Sequence, residues 1–135
     1  MLSGTMNGWL GFNPLVIESG RCVASMEVRR DLKQPQGILH GGALVTLADA
    51  AATYAALSIT DPDATLDARS FPLTIQISVN LLRNTDHGTV TAEARVVHGG
   101  RTTQVVSTEV KDDRGRLLAA VTTTHITTGR SGPSG

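Results

Sequence analysis

The sequence predicts an α+β chain in which an antiparallel β-sheet wraps around one long central α-helix, in the order β-β-α-β-β-β-β. Three observations carry this expectation. Ala43 to about Ser58 is alanine-rich and nearly uncharged, with Asp49 its one carboxylate, and a helix apolar nearly all round belongs in a core. Leu73 to Leu82 alternates cleanly, with Leu73, Ile75, Ile77, Val79 and Leu81 on one face and Thr74, Gln76, Ser78 and Asn80 on the other. Turn signals at Asn84–Gly88, His98–Arg101 and Asp112–Gly115 then divide the remainder into consecutive strands. Four late strands need cover for their apolar face, and the helix is the candidate.

Taken in order, Met1 to Asn13 holds the only Trp and reads as a short helix or an irregular lead-in. Leu15 to Val28 reads as two strands joined by a turn at Glu18-Ser19-Gly20-Arg21. The polar run Arg29 to Gln36 leads to Gln34-Pro35-Gln36-Gly37-Ile38-Leu39-His40-Gly41-Gly42, a glycine-rich turn that launches the helix. Asp61-Pro62-Asp63 stops the helix. Residues 61–72 form a loop long enough to suggest a functional or mobile segment. The strands beyond it are expected at Leu73–Leu82, Thr89–Val97, Thr102–Lys111 and Arg116–Thr128. Residues 1–128 form one expected domain, and 129–135 a small, polar and flexible tail.

The chain has 135 residues, with Lys plus Arg and Asp plus Glu at 12 each, a formal net charge of zero. That balance points away from nucleic acid or an acidic membrane surface as partner. Aromatic residues at 3% leave little for a base-stacking platform. Cys22 is the sole cysteine, so no internal disulfide forms, and its place in a strand suits a small buried apolar role. The N-terminus lacks a signal-peptide pattern and no apolar run is read as membrane-spanning, so a cytoplasmic location is the default expectation. His40, His87, His98 and His125 lack ligand spacing; no metal is expected, and the last three read as turn or strand-surface residues.

The chemistry concentrates on the helix. Gly41 and Gly42 would let a ligand approach backbone N–H groups at a helix N-terminus, whose dipole favours negative charge. This suits an oxyanion site for acyl transfer; a glycine pair that merely permits a tight turn explains the same residues locally. Asp49 is costly in such a helix unless paired or employed. It reads either as a nucleophile or general base, or as a carboxylate bonded to a neighbouring loop, with Thr46 and Thr53 one turn away on either side as further partners.

His40-Gly41-Gly42 followed by Leu47-Ala48-Asp49, with a strand beginning Leu73-Thr74-Ile75 and ending Asn80-Leu81-Leu82-Arg83, resembles the hotdog-fold acyl-CoA thioesterases. The resemblance runs from about Phe12 to Thr128 and is nearest the phenylacetate-pathway and 4-hydroxybenzoyl-CoA branch. It implies hydrolysis of an acyl- or aryl-CoA thioester without a cofactor, coenzyme A being part of the substrate. By position, it implies that the Gly41 N–H polarises the thioester carbonyl and that Asp49 is the catalytic carboxylate. It also implies that Gln34 lies near the thioester, that His40 orients the thioester or the turn, and that Thr74 assists the attacking water. Gly42, Arg83 and Arg101 are the substrate-contacting candidates, the arginines for coenzyme A phosphates. The sequence departs from the family pattern in the long 61–72 loop and in Asn84-Thr85 after Arg83.

Gly41 and Asp49 lie eight residues apart on one helix, roughly 12 Å at ~1.5 Å per residue. A reacting carbonyl must sit about 3 Å from both its oxyanion donor and the attacking group. One chain therefore cannot supply both to one thioester. If both are catalytic, a partner chain brings its own acid across a two-fold axis. A homodimer is the minimum expected assembly, with a homotetramer the fuller expectation. A hydratase would pair an acid with histidine in a different motif. A DNA-binding regulator would need a helix-turn-helix segment that the chain lacks room for. A purely structural dimerisation domain leaves Asp49 unexplained. The competing reading is a non-catalytic acyl-CoA-binding or sensing module.

Overall fold

A computed structural model describes residues 4–128; the flexible tail expected at 129–135 lies outside the described residues. The undecided N-terminal segment is a short helix, α1 (Met6–Leu10), capped by the Thr5 hydroxyl and ended by Gly11 at φ +82°. It is followed by β1 (Asn13–Glu18), β2 (Arg21–Glu27), the long helix α2 (Gly41–Thr60), β3 (Leu73–Leu81), β4 (Thr89–Gly99), β5 (Thr103–Lys111) and β6 (Leu117–Ile126). The predicted order of strands around one long helix is therefore the observed one.

The six strands form one antiparallel sheet in the order β1-β2-β4-β5-β6-β3. Cys22, Ala24 and Met26 of β2, Val90, Ala92 and Ala94 of β4, and Val106 and Val110 of β5 are buried against α2. So are Ala119 and Val121 of β6. Their counterparts on the helix are Leu44 and Leu47 and a run of alanines, of which Ala48, Ala51, Ala52, Ala55 and Ala56 are fully buried. Alanine keeps the helix thin enough for the sheet to curve over it, and it carries the best helix propensity of any residue. Cys22 is one of these core side chains, and burial pushes its thiol up to about 11.

By length and composition α2 does reach membrane-spanning size, with 20 residues and a mean hydropathy of 1.4. This corrects the expectation that no apolar run is so long. The apolarity is spent inside the protein, because the helix is the core around which the sheet closes.

The 61–72 loop is organised rather than loose. The Asp61 carboxylate accepts from the Thr65 N–H, the Thr65 hydroxyl and the Leu66 N–H at 2.8–2.9 Å. Those bonds hold its carboxyl below the usual range, the Thr65 backbone bond first. At the other end of the chain, the Arg29 guanidinium donates to the Trp9 and Leu10 carbonyls and lies 5.0 Å from the Trp9 ring. Phe12 stacks on Tyr54 of α2 at 5.4 Å. Together these contacts dock the N-terminal helix against the central one.

Strand β3 departs from its predicted alternation. The register with β6 slips between Thr74 and Gln76, so Ile75 is an extra residue in a β-bulge. Thr74 pairs with His125, while Ile77 pairs with Thr123, Val79 with Val121 and Leu81 with Ala119. Paired residues share a face, so Thr74 joins Ile77, Val79 and Leu81 on the helix side instead of opposing them. A uniform two-residue period missed this because a single inserted residue inverts every side chain beyond it.

The closeness of helix and sheet predicts a cost for overpacking. Ala51→Leu should lower unfolding stability by about 1–3 kcal/mol in a urea melt, even though leucine is nearly as good a helix former as alanine.

Candidate active site

The helix start is built by the segment before it. Lys33 and Leu39 bridge as an antiparallel pair, Gln34 N–H donates to the Ile38 carbonyl at 2.9 Å, and Gly37 turns the chain at φ +87°. This small loop delivers His40 as the N-cap of α2, at φ −66° and ψ 130°. Its Nδ1 accepts from the Gly42 N–H at 2.9 Å, doing what a serine or aspartate oxygen does in other caps. Because Nδ1 is an acceptor, the ring proton sits on Nε2, which faces away from the cap.

The two glycines thus have different fates. The Gly42 N–H is committed to His40 and is not offered to a ligand. The Gly41 N–H makes no hydrogen bond among the described residues, and it lies at the positive end of a 20-residue helix. A Cβ at Gly41 would meet only the Leu81 Cδ1, at 2.9 Å. That methyl is the tip of a flexible, exposed side chain, so the position tolerates substitution better than a bare sequence reading suggests.

Two turns further on, half-buried Asp49 meets Thr74 of β3, whose hydroxyl donates to Asp49 Oδ1 at 2.7 Å. Thr46, one of the partners expected for it, instead donates to the Gly42 carbonyl at 2.8 Å. Asp49 Oδ2 has no hydrogen bond among the described residues. The bulge at Ile75 is what brings Thr74 to the carboxylate, since unbroken alternation would turn it outward.

Behind Thr74 lies a residue that sequence reasoning placed on the surface. His125 is fully buried, which corrects its reading as a turn or strand-surface residue; His87 and His98 are exposed as expected. His125 Nδ1 is 3.2 Å from the Thr74 hydroxyl and Nε2 is 2.8 Å from the Thr123 hydroxyl. Burial lowers its pKa from 6.5, against a smaller upward pull from Asp49. The signal was present in the alternation of β6, where residues 119, 121, 123 and 125 share one face. The run of threonines there hid it.

The remaining candidates are spread out. Gln34 is half-buried in the loop before the cap, with its side chain unbonded among the described residues. Arg83 and Arg101 are both exposed. Arg83 follows the Leu81 end of β3, while Arg101 precedes Thr103, which lies in the row with Ile126 and Leu73 at the other end. Eight residues at ~3.3 Å each put them roughly 26 Å apart along the sheet, so one chain does not bring both to one ligand. A cleft of about 320 Å³ borders the helix start, with Met6, Trp9 and Leu10 on one side and Lys33, His40 and Gly42 on the other. It does not reach Asp49. No cluster of three potential metal ligands occurs among the described residues.

Buried, neutral His125 makes folding sensitive to pH. The unfolded chain takes up a proton on this imidazole near 6.5, and the folded chain resists it, so stability should fall as pH drops below that value. The hydrogen-bonded carboxylates Asp61, Asp67, Asp86, Glu93 and Asp112, held below their ordinary 3.8–4.5, add their losses only at lower pH. Urea melts between about pH 7.5 and 5 should show the loss in the wild type and a flatter profile in His125→Phe.

Comparison with known proteins places the chain in a family. Residues 36–119 match the sequence profile of the thioesterase superfamily. The chain is 34% identical over 109 residues to the 1,4-dihydroxy-2-naphthoyl-CoA hydrolase of Listeria monocytogenes, covering 81% of this chain and 84% of that one. A hypothetical thioesterase protein of Streptococcus pneumoniae solved with coenzyme A superposes with a TM-score of 0.77 at 27% identity, over 90% of this chain and 91% of that one. A Staphylococcus aureus thioesterase gives a TM-score of 0.81 at 27% identity, over 90% and 96%. That protein has been solved with alanine replacing a glutamine and, separately, with alanine replacing a glutamate 15 positions further on. With a six-stranded antiparallel sheet around one long helix, this chain is a hotdog-fold member of the thioesterase superfamily.

Proposed function

We propose that the protein hydrolyses an acyl- or aryl-CoA thioester, with the Gly41 N–H of one chain holding the thioester oxygen and Asp49 of a second chain attacking or activating water. The observation that carries this reading is Asp49 itself. It is a half-buried carboxylate bonded through one oxygen, on the same helix whose first N–H is unpaired, in a chain of the thioesterase superfamily. The spacing of Gln34 and Asp49, 15 residues, equals that of the glutamine and glutamate replaced in the S. aureus thioesterase. It supports a place for both side chains at the thioester.

The single-chain distance of roughly 12 Å between Gly41 and Asp49 makes the reading depend on a partner. Strand β3 supplies a surface for one. It is an edge strand whose Leu73, Ile75, Leu81 and the adjoining Leu82 are all more than half exposed. An open apolar edge of this kind associates readily. Joining two copies there brings two α2 helices side by side in opposite directions, each offering its acid to the other's helix start. A homodimer is the minimum unit; a homotetramer would pair two such dimers.

The acyl group is proposed to be aromatic. The branch the sequence resembles and the name of the Listeria relative both point to aryl-CoA esters, and the cleft beside His40 carries an exposed Trp9 and Met6. In this scheme Thr74 holds Asp49, and its second lone pair is open to a water proton. His40 directs its Nε2–H outward from the cap. Arg83 of one chain and Arg101 of the other would flank the coenzyme A phosphates.

Release of coenzyme A from a panel of acyl- and aryl-CoA esters, followed with a thiol reagent, tests the reaction. Asp49→Asn should abolish turnover while substrate still binds; near-normal turnover removes Asp49 from the chemistry, and a wild type that binds without hydrolysing favours a sensing module. Gly41→Pro deletes the proposed donor at the helix position where proline is best tolerated, after a residue already extended at ψ 130°. It should cut kcat by about 10²–10³-fold with little change in melting temperature, Gly41→Ala being the steric control.

Mixing the two dead variants tests the shared site. Half of randomly formed dimers hold one intact Gly41–Asp49 pair, so activity should return to about a quarter of wild type. Absence of any recovery, with mixed dimers verified, contradicts the two-chain arrangement.

A further inference from the structure

We infer that His125 is a positioning residue that acts through Thr74 to fix Asp49 for the reaction. This rests on the proposed role of Asp49 as the attacking or water-activating group. The chain of contacts runs from Thr123 to His125 Nε2 at 2.8 Å, from His125 Nδ1 to Thr74 Oγ1 at 3.2 Å, and from Thr74 Oγ1 to Asp49 Oδ1 at 2.7 Å.

Donor counting fixes its direction. A threonine hydroxyl has one hydrogen, and Thr74 gives its hydrogen to Asp49. The contact between Thr74 and His125 therefore needs the hydrogen to come from Nδ1. That leaves Nε2 of the neutral ring as an acceptor for the Thr123 hydroxyl. Three donors follow one another in series and end on one oxygen of the carboxylate. Each polarises the next, and a buried chain satisfied at every link is rigid.

The surroundings keep the ring in this form. His125 is fully buried. On α2 and its two caps the ionisable side chains are His40, Asp49, Tyr54 and Asp61. His40 is bonded to the Gly42 N–H, Tyr54 stacks on Phe12 and Asp61 binds its own loop. The helix-side residues of β3 and β5 near it, Thr74, Ile77, Gln104 and Val106, carry no charge. Asp49 is the charged group acting on the imidazole, and burial outweighs it. The result is a carboxylate with Oδ1 anchored and Oδ2 as its remaining oxygen. Anchoring one oxygen removes rotation that either route of attack would otherwise have to freeze.

The Nδ1–H tautomer is the less common form of a free imidazole, which makes it a clear signature. Long-range ¹H–¹⁵N spectra of the full-length protein should show His125 as neutral Nδ1–H at neutral pH, and Thr74→Val should shift its signals. An Nε2–H tautomer or an imidazolium overturns the inference whatever the enzyme hydrolyses.

Kinetics supply the second arm. His125→Phe fills similar volume but removes the donor, and should lower kcat about 10-fold or more with KM within about two-fold. His125→Asn places an N–H near the position of Nδ1 and should restore kcat. If Phe and Asn variants lose stability alike while kcat stays at wild type, His125 is structural and the inference fails. Failure of the hydrolytic reading would show itself separately, as retained turnover in Asp49→Asn.

Discussion

The close fit of an alanine-rich helix into a curved antiparallel sheet is the constraint on which the rest of this structure depends. Where α2 meets β2, β4, β5 and β6 its side chains are mostly methyl groups, and nearly all of them are fully buried. Small side chains shorten the distance between helix and sheet. That distance is what lets a short threonine on β3 reach a short aspartate on α2. Bulkier helix residues would hold the strand too far away for such a bond. The packing that stabilises the domain therefore also sets the geometry of the carboxylate.

Two local irregularities convert this scaffold into a candidate site. The first is the bulge at Ile75, which turns Thr74 inward at the edge of the sheet. Bulges gather at sheet edges and beside functional residues because they re-aim one side chain without disturbing the central ladder. The second is the cap at His40. Its imidazole takes the Gly42 N–H and leaves that of Gly41 unpaired. One irregularity orients an acid and the other exposes a donor, at opposite ends of the same two turns of helix.

The polar groups behind Thr74 show how a core accommodates such a site. His125 and Thr123 occupy the helix-facing surface of β6 among apolar neighbours, and each finds a partner in the other. Burying them without partners would cost more than the packing returns. Satisfied, they form a rigid polar seam that ends on Asp49. Gln104, paired across the strands with His125, is also fully buried, but its side-chain amide makes no hydrogen bond among the described residues and stands outside that seam.

Much of this was legible from residue order alone. The alanine run, the alternation of the strands and the turn signals determined the long helix and six strands, because each depends on periodicity within a few residues. The strand order did not follow from them, since β2 pairs with β4 and β3 with β6 rather than each strand with the next in sequence. The pairing of glycines at a helix start with a lone acid in that helix was equally local, and the eight-residue separation already tied any joint use of the two to a second chain. The tertiary structure decided the rest. Whether Thr74 points in or out turns on a register slip between two strands separated by about 50 residues of sequence. Which glycine keeps a free N–H depends on the rotamer of His40. His125, apparently one more polar residue in a threonine-rich strand, became the support behind the acid. Its neighbours Thr74 and Asp49 lie 51 and 76 positions away in the chain, and only folding makes them adjacent.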